Sequence, residues 1–222
     1  MTQQIKWSHS GLKDYEGCAR RFHEVKVLKK YPFTDTVHTT YGKQVHESAE
    51  LYVKDGTPLP NEHAFLQPLL DALLAKRGRK FPELQMGVTA TLQPCKFDAK
   101  DVWARGIADL LIVDDDDLKA WVLDYKTGND RYPDRDQLIL MSLMTFVHFP
   151  HIRQVNSALL FVVKDSIVKH SMLRDEAEEH WWKYRERVGR LEQSMAANVW
   201  NPTQTPLCNW CAVRSCEFNK DH

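Results

Sequence analysis

The chain has 222 residues, 43% of them hydrophobic, and its 30 Lys and Arg balance 30 Asp and Glu. That length suits one sizeable domain and that apolar fraction argues against wholesale disorder. Zero net charge excludes a histone-like or tail-type binder of polyanions, though not an enzyme with a local basic groove.

No apolar run reaches the length of a membrane span, and the first ten residues, MTQQIKWSHS, lack the basic-then-apolar pattern of a leader, so a cytoplasmic chain is expected. Ser8 or Ser10 can cap a first helix over Leu12 to Phe22, with Leu12, Tyr15, Ala19 and Phe22 on its core face and Cys18 beside it. Thr34 to Thr40 reads as a loop. A second helix, Tyr41 to Lys54, stops before Asp55-Gly56 and carries Gly42, His46 and Glu50 at intervals of four, hence on one face. Taken alone, His46 reads as an ordinary satisfied core histidine.

After a break at Pro58 to Asn61, Glu62 to Lys76 reads as a leucine-rich helix. The basic cluster Lys76 to Lys80 follows. It suits a solvated helix end, where positive charge complements the helix dipole, and secondarily a contact to DNA backbone. Strands are expected over Leu84 to Leu92, Val102 to Val113 and Ala120 to Tyr125, the last two joined as a hairpin by the acidic turn Asp114 to Asp117. That turn lacks the ligand spacing and glycine of an EF-hand and reads as solvent-facing.

Asp136 to Phe149 is a dense apolar helix with Gln137 as the polar exception at its start. Val155 to Val163 and Ile167 to Met172 read as strands. Asp175 to Met195 is a long charged helix whose basic stripe, Lys183, Arg187 and Arg190, fits surface solubility as well as nucleic-acid contact. The tail from Asn201 has little periodicity and needs something other than a core to hold it.

Five cysteines in a chain expected in the cytoplasm argue against a disulfide framework. Cys208, Cys211 and Cys216 form C-x2-C-x4-C in that tail. A tetrahedral thiolate site wants a fourth ligand from elsewhere. Cys18 is the better candidate, and Cys95, which follows Pro94, stays open.

The most informative stretch is Ala104 to Gly128, ARGIADLLIVDDDDLKAWVLDYKTG. Asp109 lies inside its first apolar run, and Asp124-Tyr125-Lys126 ends the second. Charges within such runs cost desolvation energy unless they are paired or bind metal. Two carboxylates on adjacent strands can converge on Mg2+ or Mn2+, with the Tyr125 backbone carbonyl joining them. Lys126, on the same side as Asp124, can reach an attacked phosphate or its water. The chemistry indicated is metal-dependent phosphodiester hydrolysis. No phosphate-binding glycine loop, Ser-His-Asp signature or dinucleotide fingerprint competes with it.

These motifs resemble the PD-(D/E)XK nuclease superfamily, in particular the RecB-like branch with its AddB-type and CRISPR-associated four-cysteine nucleases. The likeness covers nearly the whole chain. Gly42, His46 and Glu50 fit an early Gly-x3-His-x3-Glu helix, Gly106 to Asp109 the G-x-x-D element, and Asp124 to Gly128 the D-x-K-T-G signature. Gln137 fits a Gln-x3-Tyr helix, with Met141 where the tyrosine would stand. The resemblance implies an α/β, restriction-endonuclease-like core with a central mixed β-sheet flanked by helices, and one nuclease domain over 1–222. It implies that His46, Asp109, Asp124 and the Tyr125 carbonyl bind Mg2+ or Mn2+, that Lys126 assists the water, and that Gln137 belongs to the catalytic set.

The segment from Ser8 through Cys18 to Phe22 is similar to the branch's N-terminal element, whose cysteine joins three C-terminal ones around a [4Fe–4S] cluster. By resemblance Cys18, Cys208, Cys211 and Cys216 would hold such a cluster, tying 1–30 to 201–222. Here the second cysteine gap is one residue shorter than is common, which leaves structural zinc as the alternative. The implied activity is a DNA exonuclease acting on single strands or free ends, in recombination, repair or phage genome processing. Arg20, Lys43, Arg131, Tyr132 and Arg135 are candidate nucleic-acid contacts. The rival expectations are a CRISPR-adaptation subunit working within a partner complex and a catalytically silent nucleic-acid-binding subunit.

Overall fold

The computed structural model describes residues 5–32 and 35–220. In chain order the helices are α1 (His9–Gly17), α2 (Ala19–Phe22), α3 (Val37–Asp55), α4 (Gln67–Ala75), α5 (Arg135–His148) and α6 (Ala177–Ala197). The strands are β1 (Arg79–Thr89), β2 (Pro94–Cys95), β3 (Val102–Asp114), β4 (Lys119–Lys126), β5 (Gln154–Phe161) and β6 (Ser166–Leu173). They divide between two compact units, one from Asp35 to Trp181 and one from the described residues before Asp35 together with those from Trp182 onward.

The larger unit is built on a mixed six-stranded sheet ordered β2-β1-β3-β4-β5-β6. Every neighbouring pair is antiparallel except β4 and β5. A parallel pair needs a crossover, and α5 supplies it. Strand alternation loads both faces of the sheet. Leu110, Ile112, Leu123, Tyr125, Ala158 and Leu160 pack with Val45 and Ala49 of α3 and with Leu66 and Leu70. Leu159 and Phe161 pack instead with Leu138 of α5. Strands covered on both faces read as continuous apolar runs rather than alternating ones, which is the character of the end of β5. An α/β fold with a mixed sheet flanked by helices is therefore present, as expected.

Several boundaries differ from expectation, each for a local reason. Helix α3 starts at Val37, inside the expected loop, because Thr36 and Thr39 cap it reciprocally. The Thr36 hydroxyl accepts the Thr39 N–H at 3.2 Å, and the Thr39 hydroxyl accepts the Thr36 N–H at 2.8 Å. This is a capping box made without an acidic residue. Thr34 lies outside the described residues. The helix expected over Glu62 to Lys76 is a 3-10 turn, Asn61–Leu66, followed by α4. Pro68 sits in the first turn of α4. Its missing N–H is harmless there and would break a longer α-helix.

Strand β1 begins at Arg79, so part of the basic cluster is strand, and it faces the acidic turn. Arg77 pairs with Asp116, and Arg79 grips Asp115 through two contacts of 2.8 and 3.0 Å. Lys76 lies 3.8 Å from the centre of the Trp121 ring. The two opposite-sign clusters thus answer each other. Exposed pairs of this kind contribute little individually.

In the smaller unit the expected first helix is interrupted at Cys18, which is extended at φ −167 and ψ 109. Helix α2 then runs into a π-helical turn, His23–Val27. Tyr15 donates its hydroxyl to the Arg190 carbonyl at 2.9 Å, and Arg187 binds both oxygens of Glu16 at 2.7 Å. The basic stripe of α6 is therefore partly engaged in packing this unit. Trp7 stacks on Tyr184, and His23 on Trp200. Among the described residues no helix is long and apolar enough to cross a membrane.

Gly78 turns the chain into β1 at φ +117, and a Cβ there would fall 2.6 Å from the Val113 carbonyl oxygen. Gly78→Ala is expected to cost at least about 1 kcal/mol, read as a lowered urea midpoint with an unchanged slope.

Candidate active site

The site begins where two strands part. Pairing of β3 with β4 runs back from Asp114↔Lys119 to Leu110↔Leu123 and ends there, while β4 stays paired with β5 as far as Lys126↔Phe161. Asp109 and Asp124 are the next residues after the last β3–β4 pair. The Tyr125 N–H donates to Asp109 Oδ2 at 2.7 Å, so a carboxylate satisfies the backbone where the ladder has stopped.

Helix α3 brings His46 to this point. Its Nδ1 lies 3.3 Å from Asp109 Oδ2, and its ring meets Tyr125 edge-on. One turn earlier, a Cβ on Gly42 would come within 3.3 Å of Thr127 Oγ1. The glycine thus lets the helix approach the segment after β4. One turn later Glu50 pairs with Lys54 at 3.6 Å.

Asp124 is only 6% exposed. Lys126 Nζ lies 2.7 Å from its Oδ2, and Gln137 at the start of α5 donates its amide to Oδ1. Lys126 Nζ also donates to Gln137 Oε1 at 2.9 Å. The triangle closes because a glutamine amide both donates and accepts. Met141, one turn beyond Gln137, is buried.

Sequence reading missed Glu83. The strand was expected to start at Leu84, which left this acid just outside it. Glu83 instead lies within β1, between Pro82↔Leu110 and Leu84↔Ala108, which sets it across from Asp109. Its φ is +47, the left-handed region that few side chains adopt. His46, Glu83 and Asp109 each offer a donor atom within 4.8 Å of the others. The signal was present as a lone carboxylate in the apolar run FPELQMGV, the same clue that picked out Asp109.

The charges strain against one another. Burial first, and the Asp109 charge second, push the Glu83 carboxyl up to about 7. Asp124 is raised by the same two causes, against the opposing pull of Lys126. Burial alone would lower His46, but its hydrogen bond to Asp109 and that charge override it and raise the imidazole. Asp124 Oδ2 is enclosed and has an ion pair but no well-directed hydrogen bond. Oxygen donors, one imidazole and mutually repelling carboxylates fit a hard divalent cation such as Mg2+ or Mn2+.

The five candidate nucleic-acid contacts differ in their surroundings. Arg131, Tyr132 and Arg135 lead into α5 and are exposed, Tyr132 at 92%. Lys43 instead holds both oxygens of Asp35 at 2.8 and 2.9 Å. Arg20, in the smaller unit, binds Glu217 at 2.6 Å and the Ser215 carbonyl at 2.9 Å.

In the smaller unit Cys18, Cys208, Cys211 and Cys216 line one cavity of about 590 Å³. Cys18 Sγ accepts the N–H groups of Arg21 at 3.5 Å and Thr203 at 3.4 Å, and Cys208 Sγ accepts that of Thr205 at 3.2 Å. Cys95 is on β2 of the larger unit.

A mixed sheet flanked by helices, opening beside a carboxylate, histidine and lysine cluster, defines an α/β protein equipped for divalent-ion hydrolysis. The family model of the PD-(D/E)XK nuclease superfamily matches residues 6–216, and the chain belongs to that superfamily. It is a nuclease by family, and the family works on nucleic acid with divalent metals. No curated protein matches it. Among solved structures, a "putative exonuclease" from Eubacterium rectale superposes with a TM-score of 0.54 at 12% identity, covering 94% of this chain and 88% of that one, a likeness of fold. A protein named SSO0001 aligns over 99% of this chain and 89% of its own at 14% identity, with a TM-score of 0.42, too loose to bear on the fold.

Glu83 ordinarily titrates near 4.5 and here near 7. Between those values the folded protein holds a proton that the unfolded chain has released, so its contribution to stability falls as pH rises through that window. In EDTA, Glu83→Gln should therefore melt higher than the parent at pH 8. The gap should close by pH 4, as checked by thermal unfolding across the range.

Proposed function

We propose that the chain is a Mg2+- or Mn2+-dependent deoxyribonuclease of the RecB-like branch, an exonuclease acting on single-stranded DNA or free DNA ends. The observation that carries this reading is the convergence of His46, Asp109, Asp124 and Lys126 where β3 leaves β4.

In this reading His46, Asp109, Asp124 and the Tyr125 carbonyl hold the ion. Once bound, it supplies Lewis-acid charge at the scissile phosphate and makes a water more acidic. Lys126 places positive charge beside the attacked phosphate and orients the water through its ammonium protons. Gln137 fixes the Lys126 ammonium and the Asp124 carboxylate relative to one another. Tyr125 N–H keeps Asp109 turned into the site. Arg131 and Arg135 offer charge to the backbone of an entering strand, and Tyr132 a stacking face for a base.

The four cysteines of the smaller unit are proposed to hold a [4Fe–4S] cluster in a structural role. Zinc–sulfur bonds of about 2.3 Å would gather thiolates to about 3.8 Å from one another. The four cysteines share one cavity, and its occupant would be a [4Fe–4S] cluster or, alternatively, zinc. Backbone N–H groups on Cys18 and Cys208 suit thiolates that carry cluster charge.

The tests follow directly. With Mg2+ or Mn2+, end-labelled linear DNA should be degraded and closed circular DNA spared. Lys126→Ala should slow cleavage by about 10²–10⁴-fold. Asp124→Ala should abolish it, and persistent cleavage by that variant would remove the proposed site. Equal cutting of closed circles would overturn the requirement for ends. Anaerobically purified protein should show a broad visible absorption and about four irons per chain. Zinc without iron would defeat the cluster.

A further inference from the structure

Glu83 is the one acid of the cluster that the roles above leave unassigned. It sits within β1, across from Asp109, at φ +47. The β1–β3 ladder pairs its neighbours, Pro82 with Leu110 and Leu84 with Ala108, and skips Glu83 and Asp109. Its carboxylate lies among His46 and Asp109, all three donor atoms within 4.8 Å of one another. Asp124 is not in that group of three, being engaged by Lys126 and Gln137. The donor set nearest to gathering on one cation therefore includes Glu83.

We infer that Glu83 is a further ligand of the divalent-ion site, working beside His46, Asp109 and Asp124. The inference rests on the divalent-ion reading above and extends it. A third carboxylate adds negative charge at the ion and takes a coordination position otherwise open to water. Mg2+ keeps several waters and demands near-octahedral geometry, so a crowded protein donor set suits Mn2+ better. Glu83 thereby tilts the site toward the softer, less strictly hydrated ion.

Mn2+ alone is the probe. Its binding to the full chain is measured by titration calorimetry, and its inner-sphere waters are counted by water-proton relaxation. Glu83→Gln keeps the shape of the side chain and removes the ligating charge. This variant should weaken Mn2+ binding by about tenfold or more and leave one more water on the bound ion. Loss of affinity without an added water would make Glu83 a positioning residue and overturn the inference. So would affinity within about twofold of the parent. In that last case His46→Ala and Asp124→Ala should still lose the ion, leaving the proposed nuclease site standing. Failure of the parent chain to bind Mn2+ would defeat both readings together.

Discussion

The hydrogen bond from the Tyr125 N–H to Asp109 Oδ2 is the contact on which the larger unit turns. A sheet that stayed paired would have no room for chemistry between its strands. Here β4 remains anchored along its whole length to β5, so only β3 departs. The departing strand must still satisfy the backbone that it uncovers. A carboxylate does so, and in doing so it is fixed within reach of His46 and Glu83. The opening of the ladder and the placing of the acid are one event.

The charge balance follows from that geometry. Asp109, Asp124 and Glu83 are drawn together in a partly enclosed space, and two of them are forced upward in pKa. Lys126 offsets part of this charge, and Gln137 ties it to Asp124 through a side chain that can donate and accept. A hydrophobic core alone would not select such a set, because each charge costs desolvation. The cluster makes physical sense as a cation site that carries its own repulsion in the ion-free state. The acidic turn Asp114 to Asp117, only a few residues away in sequence, shows the contrast. There the exposed Asp116 and Asp115 meet Arg77 and Arg79 in solvent.

Much of this was legible in the sequence. The hairpin with Asp109, Asp124 and Lys126 followed from apolar runs and desolvation cost, whereas His46 and Gln137 entered the expected site only through the family resemblance. The sheet was legible because its strands are apolar runs bounded by turn residues. What escaped reading was set by tertiary contacts. Two threonines capped α3 where no acid signalled a start. The basic cluster became strand because β3 was there to pair with it. Glu83 was lost with that boundary, since an acid outside an expected strand is no anomaly. The individual candidates Arg20 and Lys43 were chosen as cations near motifs, and spacing along the chain cannot tell that Glu217 and Asp35 already hold them.

The smaller unit poses the opposite problem. It is assembled from chain ends far apart in sequence, so closing it costs entropy that local contacts do not repay. Aromatic stacks, the Glu16–Arg187 fork and the Tyr15 hydroxyl account for the join between α1 and α6. They do not reach the segment from Thr203 to Asn219, whose backbone is mostly turns and whose cavity is lined by four cysteines. Cys18 breaks a helix that periodicity would have continued, and its extended backbone leaves Sγ accepting an N–H from Thr203 across 185 positions of sequence. A thiol is a weak acceptor, and a thiolate bound to iron or zinc is a strong one. The helix break makes Cys18 the N-cap of α2, its Sγ accepting the Arg21 N–H, and the long-range N–H contact and the shared cavity are compatible with a ligand role as well. If Cys18 is a ligand, the bond to a shared centre adds to the closure that Arg20 makes with Glu217 and the Ser215 carbonyl.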